Sequence, residues 1–161
     1  MKKRLLPLLL ALGLLLSFSS CSSSGDDPAR YGYLYSAVVT DISYDLMDFY
    51  DIHISFMTST GVQETYTIKE SCQIPQRQIF WEIIVEDRGD FTVTMRLQPK
   101  TTAVMDDESD YTLAFDLCSS AGRLDERDPE SALLSVKETK SGSDWKKEGE
   151  LSFVQTVTPK F

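Results

Sequence analysis

The chain is 161 residues long, with 25 acidic and 16 basic residues and a formal net charge of −9. Such a surface repels nucleic acid and anionic membrane faces, and no basic patch interleaved with aromatics works against it. With 42% hydrophobic residues and one histidine, the sequence has material for a core and little for histidine-based chemistry.

Lys2, Lys3 and Arg4 precede a run from Leu5 to Leu16 that only Pro7 and Gly13 interrupt, and small residues then surround Cys21. A basic start, a short apolar run and a small-residue cleavage zone are the parts of a secretory signal peptide. The run is about a dozen residues against roughly twenty for a transmembrane helix, so it targets the chain and does not span a bilayer. Phe18, Ser19, Ser20 and Cys21 resemble the lipobox of bacterial lipoproteins, with Phe18 where leucine is usual. The resemblance implies cleavage after residue 20 and a membrane anchor of palmitate-type acyl chains on Cys21; two or more such chains hold stably where one does not. "CSSSGDD" places Ser22 beside the cysteine, with Asp26 and Asp27 a few residues on. It is similar to the acidic export tether of surface lipoproteins in Bacteroidota-type bacteria. That implies the cell-surface side of the outer membrane, with its periplasmic face as the alternative. The expected division is a signal peptide over 1–20, a lipidated flexible tether over 21–29 and a single all-β domain over 30–161. Removing the leader removes three basic residues and no acidic one, which deepens the net charge from −9 to −12.

Alternation of apolar and polar residues then dominates, the signature of half-buried strands. In 31–43, Tyr31, Tyr33, Tyr35, Ala37 and Val39 share one parity and Leu34, Val38 and Ile42 the other. In 49–57, Tyr50, Ile52, Ile54 and Phe56 oppose Asp51, His53 and Ser55. Ser59-Thr60-Gly61 predicts a turn into a hairpin partner, with Val62, Tyr66 and Ile68 on one face. Residues 78–98 read as a second hairpin, Trp81, Ile83 and Val85 before a turn at Asp87-Arg88-Gly89 and Phe91, Val93, Met95 and Leu97 after it. Tyr111, Leu113, Phe115 and Leu117 mark another strand, and the charged stretch 120–130, with Gly122 and Pro129, reads as a long loop. Residues 128–138 fit a short strand, with a helix capped by Asp128 as the alternative. Ser141-Gly142-Ser143 predicts a turn, and Leu151, Phe153 and Val157 a last strand. Seven or eight strands with no clear helix predict an antiparallel β-sandwich of immunoglobulin-like architecture, with a small lipocalin-like β-barrel second.

Few residues carry chemistry. Cys72 and Cys118 remain once Cys21 is lipidated, a possible disulfide in an exported chain or two free thiols. His53 is the only histidine, so any triad would have to use it, and its place opposite an apolar row reads as a solvent-facing strand position. No GxSxG, HExxH or CxxC stretch occurs, so catalytic residues and a cofactor are not expected. Asp106, Asp107, Glu108 and Asp110 form a weak calcium candidate that lacks the glycine and closing glutamate of an EF-hand loop. Arg88-Gly89-Asp90 resembles an integrin-recognition tripeptide, though the same residues suit a tight turn. Tyr31, Tyr33, Tyr35 and Trp145 are the candidate ligand-binding aromatics, since an exposed ring offers a flat face to a sugar; the alternative is a half-buried first strand covering the core and a Trp145 packed over the end of the sandwich. The expected function is a non-enzymatic, outer-membrane binding or adhesion module, with a glycan as the natural ligand. The alternative is a structural or accessory subunit of a cell-envelope complex, for which an exposed apolar patch or an unpaired edge strand would be the sign. A calcium-dependent module or hydrolase ranks behind both.

Overall fold

Strands form nearly everywhere the sequence alternates. The computed structural model describes residues 32–70, 73–74 and 76–160. The leader, Cys21, the tether, Tyr31 and Cys72 lie outside the described residues. Among those described, eight strands and two short helices follow in order. They are β1 (Tyr33–Thr40), α1 (Tyr44–Phe49), β2 (Tyr50–Thr58), β3 (Gly61–Ile68) and β4 (Ile79–Val85). Then come β5 (Phe91–Pro99), β6 (Asp110–Arg123), β7 (Glu130–Ser141), α2 (Gly142–Glu148) and β8 (Leu151–Val157). No helix of the described residues is long and apolar enough to cross a membrane.

The strands form two four-stranded antiparallel sheets, β4-β1-β6-β7 and β3-β2-β5-β8. The sheets face each other and share no strand pair, so the antiparallel sandwich holds and the closed lipocalin-like barrel does not. Between them lies one core: Tyr35, Ile52, Ile54, Phe56, Phe91 and Phe115 are all at most 1% exposed. Trp81 stacks between Phe56 and Phe91, with ring centroids 4.7 and 5.3 Å away. Its indole N–H is satisfied by Glu64 Oε2 at 2.7 Å, which ties edge strand β3 to edge strand β4.

Four expectations change. The predicted hairpin over 78–98 is a crossover: β4 pairs with β1, whereas β5 pairs with β2 and β8. Gly89 is needed there for close approach and not for positive φ, because a Cβ on it would stand 2.0 Å from Ser59 Oγ. The predicted loop over 120–130 shrinks to a turn over 124–129, since β6 runs on to Arg123 and Ala121 is fully buried against the core. Val62 does not share a face with Tyr66 and Ile68. A β-bulge pairs Phe56 with Glu64 but Met57 with Val62, so Gln63 is the extra residue and Val62 turns outward, 64% exposed.

The fourth change is the turn at 141–143, which opens α2. Ser141 Oγ accepts from Asp144 N as the N-cap. Gly142 lets the acidic loop approach, for a Cβ would meet Asp106 O at 2.0 Å. Ser43 caps α1 in the same way, accepting from Leu46 N. Ser43 N also donates to Ala114 O, and Asp45 accepts from Thr112 N, so α1 covers the edge of β6 beyond the end of β1.

Candidate functional site

In a two-layer sandwich each strand gives one parity to the core and leaves the other free. On the first sheet that free parity is unusually apolar. The ladder aligns Phe80, Val38, Cys118 and Leu133 in a single row across all four strands. Three inter-strand spacings of about 4.8 Å make this row about 14 Å wide. One row away lie Ser36, Glu82, Ser120 and Ser131, and beyond them Leu34 and Ile84. Phe80, Ile84 and Leu133 are 61%, 57% and 68% exposed. β4 explains this chemistry, because "IFWEIIV" is an apolar run on both parities, Ile79 and Trp81 inward, Phe80 and Ile84 outward.

The polar groups of this face largely satisfy one another. Ser36 and Ser120 hydroxyls meet at 2.8 Å, and the Ser135 hydroxyl donates to the Asp116 carboxylate. Glu82 and Asp116 are the charges in the rows that cross β1, and both are acidic; Lys137 stands one row further out on β7. Cys118 carries a free, half-buried thiol at the centre of the apolar row.

The residues singled out from sequence do not gather with this face. Tyr33 is half-buried, and Tyr35 is fully buried, its hydroxyl donating to Gly89 O and accepting from Gly89 N, both at 3.0 Å. Burial raises the Tyr35 hydroxyl above its ordinary range, with the Gly89 hydrogen bond opposing. Trp145 is 2% exposed, donates to Tyr111 O at 3.0 Å and carries the Lys140 ammonium over its ring at 4.5 Å. Neither Tyr35 nor Trp145 offers an open ring face, in keeping with the packed alternative for both. Both rings are large enough that the core claims them.

The acidic loop is occupied with α2. Asp107 Oδ1 pairs with Lys146 at 2.6 Å, Asp107 O accepts from Ser143 N, and Asp106 Oδ1 accepts from Glu108 N. No group of three metal-ligating side chains occurs among the described residues, so Asp106, Asp107, Glu108 and Asp110 do not converge on a cation. Arg88-Gly89-Asp90 is folded back rather than presented. Arg88 donates to Pro159 O at 2.8 and 3.1 Å, and Asp90 accepts from the Thr158 hydroxyl.

His53 lies on the outer face of the second sheet, Nδ1 3.1 Å from Thr67 Oγ1 and across from Arg96. Its Nε2 is buried without a hydrogen-bond partner among the described residues. Cys118 is on the outer face of the first sheet, so both layers of the sandwich separate this histidine from that thiol. His53 and Cys118 therefore cannot act as a pair. The geometry defines an antiparallel β-sandwich with one apolar outer face. No protein-family model, curated protein or solved structure matches the chain.

Proposed function

We propose that this chain is a lipid-anchored, non-enzymatic module of a bacterial outer membrane that docks onto a protein partner in a cell-envelope complex. Cys21 is the anchor, on the lipobox resemblance of Phe18-Ser19-Ser20-Cys21. The outer face of the first sheet is the contact. The observation that carries the docking half is the four-strand row with Phe80 and Leu133 more than 60% exposed, with Ile84 exposed two rows away on the same face. Aligned exposed apolar side chains of this kind are worth covering, and monomers rarely keep them bare. Charge selects the partner's chemistry: Glu82 and Asp116 flank the row, and the whole chain is at −9, so the complementary surface is apolar with a Lys/Arg rim.

We rank a glycan ligand behind this docking reading. The glycan reading rests on open aromatic faces, and Tyr35 and Trp145 are packed. As a finer description of the fold we propose an immunoglobulin-like architecture in the broad sense of two packed antiparallel sheets joined by crossovers.

Two experiments test the two halves. Protease accessibility on intact cells, beside a Cys21→Ser variant and a lysed control, tests the anchor. Digestion of the wild type with release of the variant from membrane is the expected result for a surface lipoprotein. Protection until lysis would move the domain to the periplasmic face, and a variant still held by membrane would overturn the anchor. A photo-crosslinking residue at position 133 in intact cells tests the face. A discrete adduct that Phe80→Asp abolishes is expected, with none from position 94 on the other sheet. Equal adducts from both positions, or none from 133, would overturn the docking face.

A further inference from the structure

The sandwich is fastened differently along its two sides. On one, Glu64 and Trp81 tie β3 to β4. On the other, β7 and β8 run past each other as unpaired sheet edges, and α2 lies between the end of one and the start of the other. A recess of about 150 Å³ opens there. Its wall comes from both sheets, with the apolar side chains of Leu97, Leu113, Phe115, Val136, Leu151 and Phe153 beside Ser152. At its mouth stand Glu138, Lys140, Trp145 and Glu148.

The mouth already holds a cation of the chain's own. Lys140 Nζ sits 2.7 Å from Glu138 Oε2, 2.9 Å from Glu148 Oε1 and 4.5 Å from the centre of the Trp145 ring. Two carboxylates and an aromatic face around one ammonium are the groups that bind alkylammonium ions elsewhere in chemistry. Two negative charges face one positive charge, so the mouth keeps a net charge of −1. Lys140 occupies it with a side chain that is 31% exposed, and the recess that it helps to line continues along the apolar residues of both sheets. An apolar cavity of roughly this volume takes a molecule the size of benzene.

We propose that this recess binds a small apolar monocation, an alkyl- or arylammonium. Its tail fills the hollow, and its ammonium replaces that of Lys140 between Glu138, Glu148 and Trp145. Lys140 then swings into solvent, which its exposure makes inexpensive. A neutral molecule of the same shape would gain the hollow alone. An anion would meet the two carboxylates. The inference is independent of the docking face, which lies on the outside of the first sheet.

The test is a titration of the mature chain with phenethylammonium, 2-phenylethanol and 3-phenylpropionate, followed by the methyl NMR signals of Val136 and Leu151. The cation is expected to shift those methyls and to bind about tenfold more tightly than the alcohol, with no binding of the carboxylate. Glu148→Gln is expected to weaken the cation by about tenfold, and Lys140→Met to tighten it by removing the resident ammonium. Both side chains are partly exposed, so both variants keep the fold, and circular dichroism checks this. Equal affinity for cation and alcohol, no binding at millimolar concentration, or weaker binding by Lys140→Met would each overturn the proposal.

Discussion

The two outer faces of the sandwich are built on the same plan and carry opposite chemistry. On the first, an apolar row crosses all four strands, Phe80, Val38, Cys118 and Leu133. On the second, the matching rows read Thr67, His53, Arg96, Ser152 and then Thr65, Ser55, Thr94, Val154. A third row holds Val62, Met57, Thr92 and Thr156. Its exposed apolar residues sit towards opposite edges, Met57 and Val62 on one side and Val154 on the other. Its hydroxyls pair among themselves, Thr92 with Thr156 at 2.9 Å and Ser55 with Thr65 at 3.4 Å. Covering that face would strip water from satisfied polar groups, whereas covering the first would remove apolar surface from water. The core dictates the inner parity of every strand; the outer parity is where a sequence is free to say something, and here the two sheets say different things.

The largest test of that contrast uses two neighbours on β4. Trp81→Ala is expected to lose about 3–5 kcal/mol of unfolding free energy, read from urea denaturation, since the ring fills the core between Phe56 and Phe91. Phe80→Ala, one residue away and 61% exposed, should stay within about 0.5 kcal/mol. A comparable loss at both would mean that the outer row is packed within the monomer. Next in size is docking. Leu133→Asp should cost about 2 kcal/mol or more of partner affinity, and Thr94→Asp on the hydroxyl face almost none, read as crosslinking yield against partner concentration.

Alkaline titration gives a smaller effect, and it belongs to the core rather than to either face. Burial raises both Tyr35 and Tyr50 above the ordinary 10.0, with the charge of Glu148 adding to the rise at Tyr50. The unfolded chain therefore gives up these protons first. Stability is full below about pH 10 and falls as the pH climbs through the folded values, and Tyr50→Phe should flatten that decline in melting curves. The smallest expected effect is Arg96→Ala. Arg96 pairs with Glu150, but the two side chains are 57% and 44% exposed, so the loss should stay under about 1 kcal/mol and fade with added salt.

Much of this fold is legible in the sequence. Parity alone places Ile52, Ile54 and Phe56 in the core, and Phe91, Val93, Met95 and Leu97 with them, because alternation maps onto burial whichever sheet a strand joins. For the same reason it is silent about sheet membership. Asp87-Arg88-Gly89 looks like a hairpin turn locally, and only the long-range partners of β4 and β5 make it a crossover. The helices escape because α1 has six residues and α2 seven, too few for a 3.6-residue period to show. The docking row is half legible. "IFWEIIV" announces apolar residues on both faces, but its alignment with Val38, Cys118 and Leu133 depends on a register that no single strand encodes. The aromatic candidates are ambiguous for a simpler reason: a tyrosine row at strand spacing is the same string whether it faces solvent or the core, and Tyr35 faces the core.

The position of β1 has a mechanical consequence. It is the first strand of the described residues, and it lies inside its sheet, with seven residues matched to β4 and eight to β6. A pull arriving from the N-terminal side along this strand would load two ladders at once. The hydrogen bonds would be sheared together rather than unzipped one after another from an edge. A domain pulled through a strand placed in this way would resist tension at the point where tension enters.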